Sequence, residues 1–191
     1  MVVVLIKSFD RAKGRLADHL DASERRELAE SMASTVLAAA DADGLSVLVV
    51  TDDDAVERWA RGRGALVSRP SQNGLDAAAL EGVGAARRLG FRVAVIAHAD
   101  LPFATTFRHV ADRSEEIVIV PDRHGDGTNV IAVAVDAGFA FSYGVGSFAR
   151  HRAEAERLGR SVAVIDDPDL AWDVDEPGDL PDRAAETGRS T

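Results

Sequence analysis

Two patterns of hydrophobic and polar positions alternate along the chain. Short β-branched runs typical of buried strands are separated by longer Ala-, Leu- and Arg-rich stretches typical of helices. The predicted strands are residues 1–6, 46–51, 65–69, 92–100, 116–122, 129–135 and 161–166. The predicted helices are residues 23–40, 55–64, 74–90, 105–114 and 147–159. This order predicts an α/β fold, a three-layer sandwich around a mostly parallel sheet.

Two local signals refine the predicted helices. Asp21 followed by Glu24 has the spacing of a capping box and predicts a helix start. Gly82 and Gly84 are expected to interrupt the helix at 74–90.

The domain organisation predicted from the sequence is simple. Residues 92–100 are apolar almost throughout, which predicts a central strand. No repeat or linker divides the chain, so we expect a single domain over residues 1–183. The polar tail at 184–191 is expected to be frayed.

Composition excludes several classes of function. The chain has 191 residues, is 46% hydrophobic and carries a formal net charge of -10, which disfavours binding to nucleic acid or to an anionic membrane. It has no cysteine, so disulfide scaffolds, thiolate zinc sites and thiol catalysis are excluded. The N-terminal apolar run is too short for a signal peptide or a membrane span. We therefore expect a cytoplasmic protein.

Candidate chemistry lies where the predicted strands end, because open α/β sheets bind ligands beyond the carboxyl ends of their strands. The residues that follow the strands are Lys7, Arg11, Lys13 and Arg15 after the first, His98 and Asp100 at the central strand, the 122–129 segment, and Asp173 and Asp175 near the C-terminus. Lys and Arg neutralise phosphate oxygens, and carboxylates hold Mg²⁺ together with substrate phosphates. The set indicates a site for a metal-bound polyphosphate.

Each of these features also has a purely structural interpretation. The basic segment can be a solvated turn, and Asp100 can be a turn residue before Leu-Pro. The Gly-Asp-Gly-Thr-Asn run, 125–129, can be an ordinary turn or can present N–H groups and the Thr128 hydroxyl to an anion. Asp179 can simply be an acidic first-turn residue. The five histidines have no metal-ligand spacing and are interpreted as non-ligands.

Several catalytic motifs are absent from the sequence. There is no G-x-S-x-G elbow, no Walker sequence and no G-x-G-x-x-G fingerprint. Among the classes of function considered, nucleotide chemistry without a P-loop remains.

A set of motifs in a fixed order resembles one family across nearly the whole chain. The motifs are IKSFDRAKGRL, GLDAAALEG, ADLP, GDGTN, YGVGSFARH and DVDEPGDL. In this order they resemble the CofC/FbiD guanylyltransferases of coenzyme F420 biosynthesis. The resemblance implies a nucleotide-diphospho-sugar transferase fold of the Rossmann-like GT-A type. It also implies transfer of GMP from GTP to phosphoenolpyruvate or 2-phospho-L-lactate, with release of pyrophosphate.

The resemblance also implies roles for individual residues. Lys7, Lys13 and Arg15 resemble the loop that binds the GTP phosphates, with Lys13 and Arg15 offsetting charge during transfer. Gly74 and Asp76 resemble the segment near base and ribose. Asp100 resembles a catalytic metal ligand, with Asp173 or Asp175 as a second carboxylate for Mg²⁺. The residues that resemble those holding the acceptor acid are Thr128, Gly144 and Ser147. Related folds often form homodimers, and the sequence itself leaves the oligomeric state open.

Two positions depart from the family pattern and keep alternatives open. Asp76 stands where relatives usually carry Asn, and His98 stands where a carboxylate can complete an Asp-x-Asp pair. An imidazole is a poorer Mg²⁺ ligand than a carboxylate. The first alternative is another nucleotidyltransferase of this fold, such as a cytidylyl- or molybdopterin guanylyltransferase. The second is a non-catalytic nucleotide-binding protein.

Overall fold

The strands of this computed structural model, which describes residues 1–113 and 117–180, form one seven-stranded sheet. The strands are β1 Val2–Leu5, β2 Val47–Val50, β3 Leu66–Ser68, β4 Val93–His98, β5 Ile117–Pro121, β6 Thr128–Ala134 and β7 Val162–Val164. The helices are α1 Ala22–Ala42, α2 Asp54–Gly62, α3 Leu75–Arg88, α4 Arg108–Ala111 and α5 Ser147–Arg157. The predicted α/β class and the mostly parallel sheet are confirmed.

The order of the strands explains how residues distant in sequence reach one edge of the sheet. The order is β3-β2-β1-β4-β6-β5-β7, and all neighbouring strands are parallel except β6, which runs antiparallel to β4 and β5. Because β6 is reversed, its first residues lie where the other strands end. Thr128 at the start of β6 is therefore at the same edge as the residues that follow β1, β4 and β5.

Helices cover both faces of the sheet, as the alternation along β1 shows. Val2 and Val4 belong to a hydrophobic cluster with residues of α1, α2 and α4, whereas Val3 and Leu5 belong to a cluster with residues of α3 and α5. Successive strand residues point to opposite faces, so β1 is buried on both sides. The uninterrupted hydrophobic runs in the sequence reflect this two-sided burial.

Glycines 82 and 84 do not interrupt α3, which is continuous from Leu75 to Arg88. A Cβ atom built on Gly82 would lie 2.3 Å from Cγ1 of Val3, so glycine permits close packing of α3 on β1. The expected interruption was wrong because a glycine inside a helix can serve packing rather than break the helix.

Other expectations for the elements had different outcomes. The Asp21–Glu24 capping box is confirmed, with both reciprocal hydrogen bonds present. The helix predicted over 105–114 is only four residues long, because Thr106 and the backbone N–H of Phe107 bond instead to the carboxylate of Asp43. Residue 114 and the tail at 184–191 lie outside the described residues. In the described ranges, no helix combines the length and apolar character of a membrane span.

Candidate active site

A cluster of two cations and three carboxylates lies at the carboxyl end of β4. We call it the cation–carboxylate cluster, formed by Lys13, Arg15, Asp100, Asp173 and Asp175. Nζ of Lys13 lies 2.6 Å from Oδ2 of Asp100 and 3.2 Å from Oδ1 of Asp175. Arg15 contacts the other oxygen of Asp175 at 3.4 Å. The structure therefore brings together predicted phosphate-binding cations and predicted metal ligands that are separated by up to 162 positions.

Local backbone geometry positions Lys13 and the two C-terminal aspartates. Lys13 adopts a left-handed conformation with φ 55°, which is uncommon for a residue other than glycine. A short 3-10 helix follows at Gly14–Leu16 and is anchored by the buried Leu16. On the other side, the N–H of Val174 donates to the carbonyl of Asp100 at 3.3 Å, which places Asp173 and Asp175 beside Asp100.

The charges of the cluster perturb one another. Burial alone would lower the pKa of Lys13, but Asp100 and then Asp175 outweigh burial and raise that pKa. Burial alone would raise the pKa of Asp100, but Lys13 and then His98 together outweigh burial and lower that pKa. Asp173 has a raised pKa, because it is partly buried and lies near the negative charges of Asp100 and Asp175. Lys13 alone therefore does not balance these three carboxylates.

Two of the residues predicted to bind a nucleotide, Lys7 and Gly74, lie in the region between β1, β2 and the start of α3. Lys7 is exposed and lines a small, mainly apolar cavity of about 160 Å³, together with Gly74 and Leu75. Gly74 precedes α3 with φ 113°, a conformation that favours glycine. Asp76 does not line this cavity. Its Oδ1 accepts a hydrogen bond of 2.7 Å from the N–H of Tyr143, which joins the start of α3 to the loop before α5.

The residues predicted to hold the acceptor lie on the antiparallel side of the same edge. Thr128, Gly144 and Ser147 line a cavity of about 570 Å³ that also includes Asp100 and Asp173. Thr128 and Ser147 are buried, with 2% of each residue exposed. Gly144 has φ 98°, so the loop before α5 depends on glycine conformations. The structure therefore brings these three predicted residues together.

The glycine-rich turn between β5 and β6 has the ordinary structural role. The side chain of Asp122 accepts hydrogen bonds from the N–H groups of His124, Asp126 and Gly127, and its carbonyl accepts from Gly125. These N–H groups are occupied by Asp122 and do not form a nest for an anion. Thr128, at the end of this run, lines the large cavity.

Arg123 and Asn129 in the lining of the large cavity, and His151 beside it, are not among the predicted site residues. Arg123 donates to the carbonyl of Asp173 at 2.9 Å and pairs with Asp179, and Asn129 donates to the carbonyl of Leu170 at 3.1 Å. Both hold the C-terminal segment against the sheet. His151 contacts Thr128, and its position four residues after Ser147 places both side chains on one helix face. This four-residue spacing is the sequence signal from which the position of His151 beside the site could have been predicted.

Asp179 has the structural role that one interpretation of its motif predicted. Its Oδ2 accepts hydrogen bonds from the N–H groups of Asp175 and Glu176, at 2.8 and 2.7 Å. The bonds close the turn before the 3-10 helix Pro177–Asp179. Asp179 therefore shapes the segment that carries Asp173 and Asp175.

Three adjoining cavities form one elongated site. The small cavity shares Lys7 and Leu75 with a middle cavity of about 320 Å³, which is also lined by Lys13 and Arg11. The middle cavity shares His98, Asp100 and Asp175 with the large one. Asp100 and His98 therefore stand where the middle and large cavities meet, which is the place where two bound molecules could react.

The donor atoms near Asp100 are suited to a divalent cation that is also held by substrate oxygens. Oδ1 of Asp100 is shielded from solvent and has no hydrogen-bond partner among residues 1–113 and 117–180. Within these residues, no group of three or more His, Asp or Glu side chains is arranged to hold a metal by itself. Mg²⁺ commonly uses only one or two carboxylates together with substrate phosphates and water, so the residues fit such an ion.

Comparison with solved structures identifies the class of fold. A Desulfovibrio desulfuricans G20 protein assigned to the nucleotide-diphospho-sugar transferases matches with a TM-score of 0.71 and 16% sequence identity. The match covers 92% of this chain and 81% of that protein. At this identity the likeness shows the fold alone, which is the nucleotide-diphospho-sugar transferase type expected above.

Comparison of sequences identifies the family. Residues 1–184 match the family described as guanylyl transferase CofC like. The phosphoenolpyruvate guanylyltransferase of Conexibacter woesei is 41% identical over 189 residues, which cover 93% of this chain and 84% of the relative. The 2-phospho-L-lactate guanylyltransferase of Halorubrum lacusprofundi is 36% identical over 183 residues, which cover 94% and 82%. The chain belongs to the CofC-like guanylyltransferase family and is a nucleotidyltransferase.

Proposed function

We propose that the protein transfers GMP from GTP to phosphoenolpyruvate and releases pyrophosphate, a step of coenzyme F420 biosynthesis. The observation that carries the proposal is the position of Lys13 between Asp100 and Asp175, where the middle and large cavities meet. Family membership sets the reaction class, and the cavities suggest which substrate lies on each side.

The small and middle cavities suit the nucleotide. The small cavity is mainly apolar and is bounded by Gly74 and Leu75, as a flat base and its ribose require. The middle cavity shares Lys7 with the small one and adds Arg11 and Lys13, and these positive charges complement a triphosphate. In this arrangement the α-phosphorus of GTP lies near Asp100 and the acceptor enters from the large cavity.

Mg²⁺ is the proposed cofactor, and the charge of the large cavity supports it. Two arginines, Arg15 and Arg123, line that cavity, and the acidic residues outnumber them, so an anionic acid would be repelled unless a bound cation offset the excess negative charge. The seven acidic residues are Asp100, Asp122, Asp126, Asp173, Asp175, Glu176 and Asp179. Asp100 with Asp173 or Asp175 would hold the ion. When bound, Mg²⁺ supplies positive charge that polarises phosphoryl oxygens.

The residues of the chain position the two substrates and balance charge. A phosphate oxygen of the acid attacks the α-phosphorus of GTP, a new P–O–P bond forms, and the bond to the β-phosphate breaks. Lys13 and Arg15 offset the negative charge of the departing pyrophosphate. An ionised phosphate is already a nucleophile, so the site needs no general base. Catalysis therefore rests on positioning and electrostatics.

Thr128, Gly144 and Ser147 are the proposed contacts of the acceptor acid. The Thr128 and Ser147 hydroxyls can donate to its phosphate or carboxylate oxygens. Ser147 begins α5, where the helix dipole favours an anion. Phosphoenolpyruvate is the acceptor that we propose. It is compared with two other acids, 2-phospho-L-lactate and 3-phosphoglycerate.

The test is pyrophosphate release from GTP with Mg²⁺ and each of the three acids in turn, with CTP and ATP as control nucleotides. The expected result is release only with GTP, and fastest with phosphoenolpyruvate. Release that requires CTP would assign the protein to another nucleotidyltransferase reaction. Tight GTP binding without release in any combination would contradict the proposal.

A further inference from the structure

A buried histidine outside the proposed catalytic cluster contacts one of the proposed acceptor-binding residues. His151 lies on α5, is completely buried and faces the start of β6. Its Nδ1 is 3.0 Å from the hydroxyl oxygen of Thr128, and its Nε2 is 3.0 Å from the backbone nitrogen of Ser142. Both ring nitrogens are therefore occupied by groups beside the large cavity.

The two contacts determine which ring nitrogen carries the proton. A backbone N–H can only donate, so Nε2 accepts the hydrogen bond from Ser142 and carries no proton. A neutral imidazole must then hold its proton on Nδ1, which donates to Thr128. Burial lowers the pKa of His151 to about 4, so the ring is neutral near pH 7.

This tautomer controls the direction of the Thr128 hydroxyl. Thr128 Oγ1 accepts a hydrogen bond from His151, so its own O–H must donate elsewhere. Among the described residues, no other hydrogen bond of this hydroxyl is formed, and Thr128 lines the large cavity. We propose that His151 is a positioning residue that fixes the Thr128 hydroxyl as a hydrogen-bond donor to an anionic oxygen of the acceptor acid. The proposal rests on the proposed function for the identity of that acid.

The surroundings of His151 hold the ring in this orientation. The rings of Phe139, Phe141 and Tyr143 lie 5.7, 6.1 and 5.0 Å from the imidazole, measured between ring centroids. The imidazole is thus packed among aromatic rings and cannot turn easily. A phenylalanine at position 151 would fit the same surroundings while losing both hydrogen bonds, which makes it a suitable test variant.

A double-mutant cycle with Thr128→Val and His151→Phe tests the proposal through the acceptor KM. Each single variant is expected to raise the acceptor KM about tenfold, because one hydrogen bond to a charged group is lost. The GTP KM should change little. The double variant is expected to match the single variants, because His151 acts through Thr128. In a Thr128→Ser background, which retains a hydroxyl, His151→Phe should again raise the acceptor KM about tenfold. Additive effects, about 100-fold in the double variant, would overturn the proposal.

Nitrogen NMR of the histidine rings provides a second measurement that does not depend on turnover. At pH 7, ¹⁵N-labelled wild-type protein should show His151 protonated at Nδ1 and bare at Nε2. The opposite tautomer, or a doubly protonated ring, would overturn the proposal. If wild-type protein releases no pyrophosphate with GTP and any of the acids, the proposed function fails, and the NMR result still decides the hydrogen-bond assignment.

Discussion

The two halves of the site differ in charge and in the kind of group that each can bind. The cation–carboxylate cluster contains ionised groups whose charges are only partly compensated, and Oδ1 of Asp100 has no hydrogen-bond partner among the described residues. The opposite half, which we call the neutral cluster, consists of Thr128, Ser147 and His151. It contains no ionised side chain, and all three residues are buried.

This difference indicates a division of labour. A cluster with uncompensated charge can bind a metal and a triphosphate and respond to charge that develops during transfer. A buried neutral cluster with fixed hydrogen bonds recognises the shape and acceptor oxygens of a small acid. Variants in the first half should therefore reduce kcat, and variants in the second half should mainly raise the acceptor KM. The predictions below test that separation, from the largest expected effect to the smallest.

The largest effect is expected at Asp100. Asp100→Asn should lower kcat roughly 100- to 1,000-fold while the protein stays folded, because the carboxylate that pairs with Lys13 and is proposed to hold Mg²⁺ is neutralised. Initial rates of pyrophosphate release and circular dichroism would measure both effects. Asp112→Asn is the matched control, since Asp112 is an exposed residue paired with Arg108 at the C-terminal end of α4, outside the three cavities. A kcat within threefold of wild type for Asp100→Asn would remove Asp100 from the catalytic group.

Ser147 tests the neutral cluster. Ser147→Ala should raise the acceptor KM about tenfold by removing one hydrogen bond to an anion, with little change in kcat or in the GTP KM. Steady-state kinetics with each substrate varied in turn would separate these constants. An increase confined to the GTP KM would show that the two substrate pockets are reversed.

A variant of Asp179 tests whether this residue holds the segment that carries Asp173 and Asp175, rather than whether it takes part in the reaction. Asp179→Asn should lower the free energy of unfolding at pH 7 by about 2 kcal/mol, because a buried carboxylate that accepts two backbone N–H bonds and pairs with Arg123 is lost. Urea unfolding would measure the change. An unaltered free energy of unfolding at pH 7 would contradict this role.

The same variant predicts a pH dependence with a defined sign. Burial alone would raise the pKa of Asp179, but the backbone N–H groups of Glu176 and Asp175, followed by Arg123, lower it below the ordinary value of 3.8. A carboxylate with a lowered pKa stabilises the fold above its unfolded-state pKa and loses this contribution as the pH falls through the folded-state pKa. The stability difference between wild type and Asp179→Asn should therefore shrink below about pH 4.

The smallest effect is expected at Asp76. Asp76→Ala should raise the acceptor KM about threefold, because the N–H of Tyr143 loses its acceptor and the loop before α5 is less well held. Asp76→Asn should have a smaller effect, since an amide oxygen can accept the same bond. An increase in the GTP KM for both variants, with the acceptor KM unchanged, would instead place Asp76 beside the nucleotide.

Much of the fold was predictable because hydrophobic runs and turn residues act locally. The two-sided burial of β1 and β4 gave unbroken apolar runs, and the capping box at Asp21 marked the start of α1. The weak point was the 105–114 segment, where a tertiary hydrogen bond from Phe107 to Asp43 overrides helix propensity. Propensity cannot report a partner 64 positions away.

The predicted site residues lie at one edge of the sheet because of a topological rule, which places ligands beyond the carboxyl ends of the strands. The rule applies to most strands of this sheet. Lys13 and Asp100 follow parallel strands, as the rule requires. Thr128 is the first residue of its strand and reaches the same edge only because β6 is antiparallel, which the sequence pattern did not reveal. The role of Asp122 in occupying the N–H groups of its own turn was also hidden, because glycine-rich turns with and without ligands have the same composition.

The most direct test of the central claim is the chemical identity of the product. GTP, Mg²⁺ and phosphoenolpyruvate carrying ¹⁸O in its phosphate would be incubated with the protein and analysed by mass spectrometry and ³¹P NMR. The account predicts a guanosine diphosphate ester of the acid, with two coupled phosphorus signals and the ¹⁸O label retained at the phosphate that came from the acid. Formation of GMP or GDP alone, with the labelled acid unchanged, would contradict transfer to the acceptor phosphate.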